Sequence, residues 1–429
     1  MKNKIVFSLL LVFLLIRIIS VVFFADKHSV KNDPLQYHKY ATAILENRDW
    51  LTNPDFTGHF RPPVYPLFLA LIYLIFGRGN FLAVYFIQSI ISVITCYYIF
   101  LLCLRIIDRK NALFALIWSG LYIFYIRFSR FLLRETLVIF LLLIFFFYLY
   151  DLLISKDPKK SSFWIFTLSY SLLIHLDPRY LFYLFFLPIL FMIYHPLLKS
   201  IKKYFIFLGV IILLMIPWMI RNYLTYDGLV LISTRTFNLS NNISSRQDNF
   251  SFLKILNFDK IKGTKYEKYP TEEIREAVKR GENPLNYEKQ ELEAIKKDIY
   301  PDSTFWGRKW FHFVQFWEPF DFKMSYRPFP DGRFDRKRSL KYNIIIMISY
   351  GLLLPFMLIS IINMIRRKKK IIYFLLFPLL IQTILHVILW GVYRYRVPVD
   401  AFIIILGTNG MILTYKFLFI KEETSKVLN

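Results

Sequence analysis

The chain is poor in the residues that build stapled or metal-bound domains. Its 429 residues include only two cysteines, Cys96 and Cys103, seven apart within one apolar run. That excludes a disulfide framework and a cysteine-rich metal site. The seven histidines show neither HxxxH nor HExxH spacing, although His28, His38 and His59 fall in one loop. Glycine is scarce, at 14 residues, and forms no phosphate-binding loop or dinucleotide fingerprint. No internal repeat or low-complexity tract is present. Acidic side chains are few as well, 30 against 55 Lys and Arg, a formal charge of +25. In a soluble chain that balance points to nucleic acid. Here the basic residues cluster between long apolar runs, where orientation in a bilayer accounts for them, so nucleic acid is excluded as a partner.

What the sequence has in abundance is apolar surface: 56% of residues are hydrophobic and 19% aromatic. The fold class this implies is an all-α polytopic membrane protein. A bilayer core takes about 20 apolar residues per helix, and ten runs approach or reach that length: roughly 5–25, 81–104, 111–128, 136–154, 162–176, 180–195, 204–220, 342–364, 371–391 and 397–419. The first is too long for a signal h-region and has no small-residue cleavage site, so it reads as a retained anchor. Val64 to Gly77, about 14 residues starting after Pro62-Pro63, has the length of an interfacial or re-entrant helix.

With ten spans and Lys2 and Lys4 in the cytoplasm, five further basic groups fall on the same side: Arg105, Arg109 and Lys110; Lys156, Lys159 and Lys160; Lys199, Lys202 and Lys203; Arg366 through Lys370; and Lys421 and Lys426. An eleventh full span would place Arg366 to Lys370 outside, against the positive-inside rule. The expected protein is thus a multi-pass protein of the cytoplasmic membrane with both termini cytoplasmic. It divides into a membrane module over 1–220, an extracytoplasmic α-rich cap over 221–341 and a three-helix membrane segment over 342–429. The cap contains a charged helix-like stretch, Thr271 to Ile299. Three Asn-x-Ser strings at Asn238, Asn242 and Asn249 also lie in it.

In this topology the remaining polar groups all reach the outer face. Asp33 follows the first span, with Pro34 next and Tyr37 one turn on. A carboxylate at the water-membrane boundary suits a general base, and the same residue suits the N-cap of the helix that follows. His59, Phe60 and Arg61 precede the Pro-Pro pair, where Arg61 is either an interface anchor or a phosphate contact. Arg127, Arg130 and Arg134 make one short outer connection basic and end in Glu135-Thr136. Either they meet lipid phosphates, with Glu135 paired to Arg134, or Glu135 is a second acid facing Asp33 across a cleft lined by arginines. His175-Leu176-Asp177-Pro178-Arg179, Pro217-Trp218 with Arg221-Asn222, and Arg394-Tyr395-Arg396-Val397-Pro398 lie at helix ends of similar depth. Taken as a set they favour an anionic lipid head group.

These motifs together resemble the GT-C superfamily of membrane glycosyltransferases, in particular bacterial members of the family that contains protein O-mannosyltransferases and lipid A aminoarabinose transferases. The resemblance is carried by Asp33 with Tyr37, by Arg61-Pro62-Pro63-Val64-Tyr65-Pro66, by Arg134-Glu135-Thr136, by Pro217-Trp218-Met219-Ile220-Arg221-Asn222 and by Arg394-Tyr395-Arg396-Val397-Pro398. It implies a polyprenyl-phosphate sugar donor and a glycan, glycolipid or protein acceptor. It further implies Asp33 as the catalytic carboxylate; the reading of the outer-face residues adds Glu135 as a second catalytic acid and Tyr37, Arg61, Arg130, Arg134, Arg179, Arg221, Asn222, Arg394 and Arg396 as substrate-binding residues. No cofactor is expected; carboxylates such as Asp33 and Glu135 suit a hard divalent cation, but none is predicted. Phe60-Arg61 stands where the aminoarabinose-transferase-like pattern has an acidic residue before Pro-Pro. The β-rich insertion of eukaryotic mannosyltransferases and the Trp-Trp-Asp motif of oligosaccharyltransferases are both missing. The expected acceptor is therefore an envelope glycan or glycolipid rather than a protein. The competing expectation is a transporter or flippase of lipid-linked saccharides.

Overall fold

A computed structural model of the chain describes residues 2–25, 33–46, 62–155, 157–194, 197–226, 303–319, 336–388 and 393–420. The described residues are helical throughout, without a strand. Seven helical stretches are long and apolar enough to cross a membrane: Lys4–Phe24, Phe81–Ile106, Glu135–Ile154, Lys202–Leu224, Lys341–Arg366, Ile371–Ile388 and Tyr393–Phe419. The chain is a multi-pass membrane protein. Its helices are α1 (Lys2–Phe24), α2 (Asp33–Leu45), α3 (Val64–Phe76), α4 (Phe81–Ile106), α5 (Arg109–Leu121), α6 (Ile123–Phe128), α7 (Glu135–Ile154), α8 (Lys160–Leu176), α9 (Tyr183–Tyr194), α10 (Leu197–Tyr226), α11 (Ser303–Trp317), α12 (Arg336–Ile346), α13 (Leu353–Arg366), α14 (Ile371–Ile388), the single turn α15 (Tyr393–Arg396) and α16 (Asp400–Tyr415).

The short segment after Pro62-Pro63 is α3, 13 residues long. It ends at Gly77, whose φ of +95° is open to glycine and lets the chain reverse toward α4. Asn80 then caps α4 by accepting from the Ala83 N–H at 3.1 Å. The run expected to span 111–128 is broken at Tyr122, whose backbone is extended between α5 and α6. Ser349 Oγ accepts the Ile123 N–H freed by that break, at 3.1 Å. The run at 180–195 starts with a 3-10 turn, Pro178–Phe182, and leaves only 12 residues for α9. Thr271 to Ile299 and the Asn-x-Ser strings lie outside the described residues.

α16 is central: every side chain from Asp400 to Gly410 is buried. Lipid tails are as apolar as Leu, so helices in a membrane associate through close backbone approach and shared hydrogen bonds rather than through exclusion of water. At the α13–α16 seam a Cβ on Gly407 would come within 2.7 Å of the Leu353 side chain, and one on Gly410 would meet the Phe356 carbonyl. Asn409 donates to Ser360 Oγ at 2.7 Å in the same seam. A second close contact places the Phe13 ring of α1 on Gly120 of α5. One turn further along α1, the fully buried Arg17 donates to Ser92 Oγ (2.9 Å), to the Phe13 and Gly120 carbonyls (3.1 and 3.0 Å) and to Cys96 Sγ (3.4 Å).

The two ends of the bundle differ in chemistry. At one end Arg105 pairs with Asp151 at 2.5 Å, Ser162 Oγ donates to Asp151 at 3.2 Å, and Tyr194 donates to the Lys370 carbonyl at 2.8 Å. These contacts belong to the basic turns after α4, before α8 and between α13 and α14. The opposite end gathers the start of α2, the start of α7, the turn after α8, the end of α14 and α15.

Candidate functional site

Asp33 is the first residue of α2, inside the helix rather than at its N-cap, with Pro34 second. An acidic side chain in the first helical turn is favoured by the exposed N–H groups there. Glu135 opens α7 in the same way. One side chain joins them: Arg394 of α15 donates from Nη1 to Asp33 Oδ2 at 3.2 Å and from Nε to Glu135 Oε1. Glu135 is 5% exposed at its side chain, Asp33 35%. The second oxygen of Glu135, Oε2, is buried and has no hydrogen-bond partner among the described residues, an open acceptor beside the ion pair.

Arg134 turns away from its sequence neighbour. It donates to the Leu176 carbonyl at 2.9 Å and pairs with Asp177 Oδ2 at 3.2 Å. Arg179 takes Asp177 in a two-pronged grip, Nε to Oδ1 at 2.8 Å and Nη2 to Oδ2, while Asp177 Oδ1 also accepts the Arg179 N–H and so caps the 3-10 turn. Burial alone would push the Asp177 carboxyl up, but Arg134 and Arg179 outweigh it and hold it well below the usual carboxylate range. Arg179 also lies 3.7 Å over the Tyr395 ring. Arg134, Glu135, Asp177, Arg179 and Arg394 line one cavity, closed further by Tyr180, Gln382, Tyr395 and Pro398. Its volume, about 10 Å³, is that of a single water.

The other expected site residues stand apart to different degrees. Tyr37 is buried one turn after Asp33, its ring edge-on to Tyr65 at 4.7 Å. Tyr65 donates to Gln88 Oε1 at 2.8 Å, and Gln88 in turn holds the Ser129 and Phe131 carbonyls of the turn before α7 (3.2 and 2.7 Å). Arg130 donates to Ser20 Oγ at 3.3 Å and lies over Phe24 at the end of α1. Arg221 donates to Asn222 Oδ1 at 2.9 Å and stacks on Trp218 within α10. Arg61 lies outside the described residues. Arg396, two residues after Arg394, enters a separate cluster. It is wholly buried, bonds Asp400 at 3.0 Å and the Phe316 and Glu318 carbonyls at 3.0 and 3.3 Å, and sits 3.4 Å over Tyr350.

Pairing of Glu135 with Arg134, one of the two sequence expectations, does not occur; Arg134 reaches Asp177 after α8, and Glu135 takes Arg394 of α15. Asp177, Gln382 and His386 carried no role in the sequence reading. The signals were present: an Asp-Pro-Arg string at a helix end, and Gln and His one turn apart in an apolar span. Among the described residues no group of three or more His, Cys, Asp or Glu forms a metal-binding cluster.

Residues 60–220 match the family model described as dolichyl-phosphate-mannose-protein mannosyltransferase. That stretch contains Arg134, Glu135, Asp177 and Arg179. No curated protein matches the chain in sequence. Among solved structures, the oligosaccharyltransferase of Archaeoglobus fulgidus tethered to an acceptor peptide aligns over 98% of this chain and 51% of its own at 14% identity, with a TM-score of 0.57. The archaeal oligosaccharyltransferase AglB of the same organism, in complex with an inhibitory peptide and a dolichol-phosphate, aligns over 99% and 52% at 15% identity and a TM-score of 0.54. The chain thus spans about half the length of the oligosaccharyltransferase chains it matches. It is a multi-pass membrane protein that shares the membrane fold of the archaeal oligosaccharyltransferase, with residues 60–220 matching the dolichyl-phosphate-mannose-protein mannosyltransferase model.

Proposed function

We propose that the protein is a glycosyltransferase that moves a sugar from a polyprenyl-phosphate donor to an envelope glycan or glycolipid on the outer face of the cytoplasmic membrane. The observation that carries this reading is the joining of Asp33 and Glu135 by Arg394 across 361 and 259 residues of sequence, beside an arginine pair fixed on Asp177. Two acids and a bank of arginines at one end of the bundle are what transfer from a lipid phosphate demands: a base for the acceptor, and cations where a phosphate departs. The family model matched by residues 60–220 and the dolichol-phosphate bound to the archaeal oligosaccharyltransferase support a lipid-phosphate donor.

In this mechanism the acceptor hydroxyl gives its proton to Asp33 as its oxygen attacks the anomeric carbon. The bond from that carbon to the phosphate oxygen breaks, with inversion. Arg394, Arg179 and Arg134 stabilise the charge on the departing lipid phosphate. Glu135 Oε2, already buried and open, accepts a sugar hydroxyl. A cavity of about 10 Å³ admits no sugar, so donor entry begins by parting Asp33 from Arg394. Theirs is the most exposed of the ion pairs in the cluster. Parting them takes Arg394 off the Asp33 carboxylate and bares one edge of the guanidinium together.

The test is transfer of labelled sugar from a panel of polyprenyl-phosphate sugars to envelope glycans by the purified chain, with an EDTA arm for divalent cations. Asp33→Asn, which keeps size and a hydrogen-bonding edge, is expected to lose about 10²- to 10⁴-fold in turnover while inserting and folding as the wild type does. Unchanged turnover in that variant removes Asp33 as the base. Tight binding of donor without consumption by the wild type removes the transferase reading.

A further inference from the structure

A four-layer stack runs from α11 into the site. The Phe316 ring lies on the imidazole of His386 (5.6 Å between centroids, 17° between planes), His386 lies on Tyr395 (5.1 Å, 28°), and the Arg179 guanidinium lies 3.7 Å over Tyr395. His386 is buried near the end of α14. Its Nδ1 is 2.9 Å from the Gln382 carbonyl, and its Nε2 is 3.4 Å from Arg179 Nη1. A carbonyl oxygen only accepts, so the ring proton resides on Nδ1. Nε2 then presents a lone pair, and a guanidinium N–H donates to it. The network therefore selects the tautomer, and the same network excludes a second ring proton, which would face Arg179 directly.

Of the five N–H donors of Arg179, Asp177 takes two and His386 one. The His386 contact fixes the edge of the guanidinium that the Asp177 grip leaves free. Arg179 holds Asp177, Asp177 holds Arg134, and Arg134 precedes Glu135 in sequence. On the other flank Tyr395 follows Arg394. His386 thus supports both immediate neighbours of the Glu135–Arg394 pair without touching either member. Phenylalanine at this position would stack equally well but would leave an Arg179 N–H unpaired. What the imidazole adds is its Nε2 acceptor.

We propose that His386 is a positioning residue for the lipid phosphate: through Nε2 it orients Arg179, and through Arg179 the arginine bank that receives the phosphate. This rests on the donor class given under Proposed function. The effect is read in phosphate affinity and, because Arg179 also faces the departing phosphate, in kcat/KM.

The experiment measures the dissociation constant for undecaprenyl phosphate in detergent, together with KM and kcat for transfer, in wild type, His386→Phe, His386→Gln, Arg179→Lys and the double variant Arg179→Lys/His386→Phe. His386→Phe is expected to weaken undecaprenyl phosphate about tenfold, the size of one hydrogen bond to a charged group, with kcat/KM falling at least as far and kcat falling less. Gln can place an amide oxygen where Nε2 stood, and His386→Gln regains most of the loss. In the double variant the losses do not add, because both act through one guanidinium. Equal affinity in wild type and His386→Phe overturns the proposal, and so does full additivity with Arg179→Lys. Should His386→Phe fail to fold, His386→Gln is compared with His386→Asn, whose shorter amide reaches only the Nδ1 position; equal affinity of those two overturns it. A wild type that neither binds undecaprenyl phosphate nor transfers sugar sinks the proposed function and this inference with it. An active wild type matched by His386→Phe sinks this inference alone.

Discussion

Arg394 and Arg396 leave the same helical turn and meet opposite environments. Arg394 keeps a quarter of its side chain exposed and shares itself between two carboxylates brought from α2 and α7. Arg396 is wholly buried, has one carboxylate four residues on, and spends its other bonds on carbonyls at the end of α11. An ion pair at a water-accessible end can change partners, because solvent or a ligand substitutes for what it gives up. A pair sealed in the bundle cannot, since either charge alone would be stranded. The first arrangement suits the chemistry proposed for this end of the bundle, the second holds the chain in place. Two residues of spacing on one short turn are enough to send the two side chains to different sides.

The largest expected effect tests the sealed pair. Arg396→Met leaves the Asp400 carboxylate buried beside Tyr122, which donates to it at 2.6 Å, and is expected to cost about 3–5 kcal/mol of stability, read as a lower thermal midpoint in detergent. Adding Asp400→Leu should recover most of that loss, and a single variant as stable as wild type would erase the distinction drawn above. Next in size is Arg394→Gln. Transfer should fall about 10²-fold or more, as when a cation at the developing charge is removed, with a midpoint shift well below that of Arg396→Met. Equal shifts in the two variants would make both arginines structural.

The smallest effect is in the pH dependence of unfolding and involves two groups at the water-facing end. Burial lowers the His38 pKa, and Arg78 lowers it further. A histidine depressed in the folded state favours unfolding as pH falls below about 6.5, where the unfolded chain takes up the proton first. Asp177 behaves otherwise. Its carboxyl is held low, so its contribution is complete above the unfolded value near 3.9 and is lost only as pH falls below that. Thermal midpoints taken from pH 7 to pH 3 should therefore show a loss below about pH 6.5 that His38→Phe lessens, and a separate loss beginning near pH 4 that Asp177→Asn removes. A loss below about pH 6.5 that is as steep in His38→Phe as in wild type would remove His38 from that dependence.

The helical membrane fold was legible because apolar runs of about 20 residues and one-sided basic turns are signals of composition and order, read without knowing any contact. The short α3 was legible for the same reason. The break at Tyr122 was not, since it depends on Ser349 receiving the Ile123 N–H from more than 200 residues away. At the site, sequence order could gather Asp33, Glu135 and the arginines at one end. It could not say which arginine serves which acid. Glu135 has Arg134 beside it and pairs with Arg394; Arg134 pairs with Asp177. Nor could it separate Arg394 from Arg396, because exposure is decided by what packs above the turn. His386 carries no signal of its own in the sequence, because one histidine in an apolar span reads as a filler until its two ring nitrogens are seen to face a carbonyl and a guanidinium.

Arg17 has a consequence for how the protein is made. A guanidinium in the middle of a membrane helix costs about 2.5–3.5 kcal/mol on insertion, and every partner named for it outside α1 lies in α4 or α5. None of those partners has been synthesised when α1 leaves the ribosome. The first span therefore enters the bilayer before its arginine has its permanent hydrogen bonds, and the Phe13–Gly120 contact closes only after some hundred further residues have followed. α1 is thus seated only once α4 and α5 have followed it, so substitutions at Ser92 or Gly120 should act as assembly defects of α1, far from the residue changed.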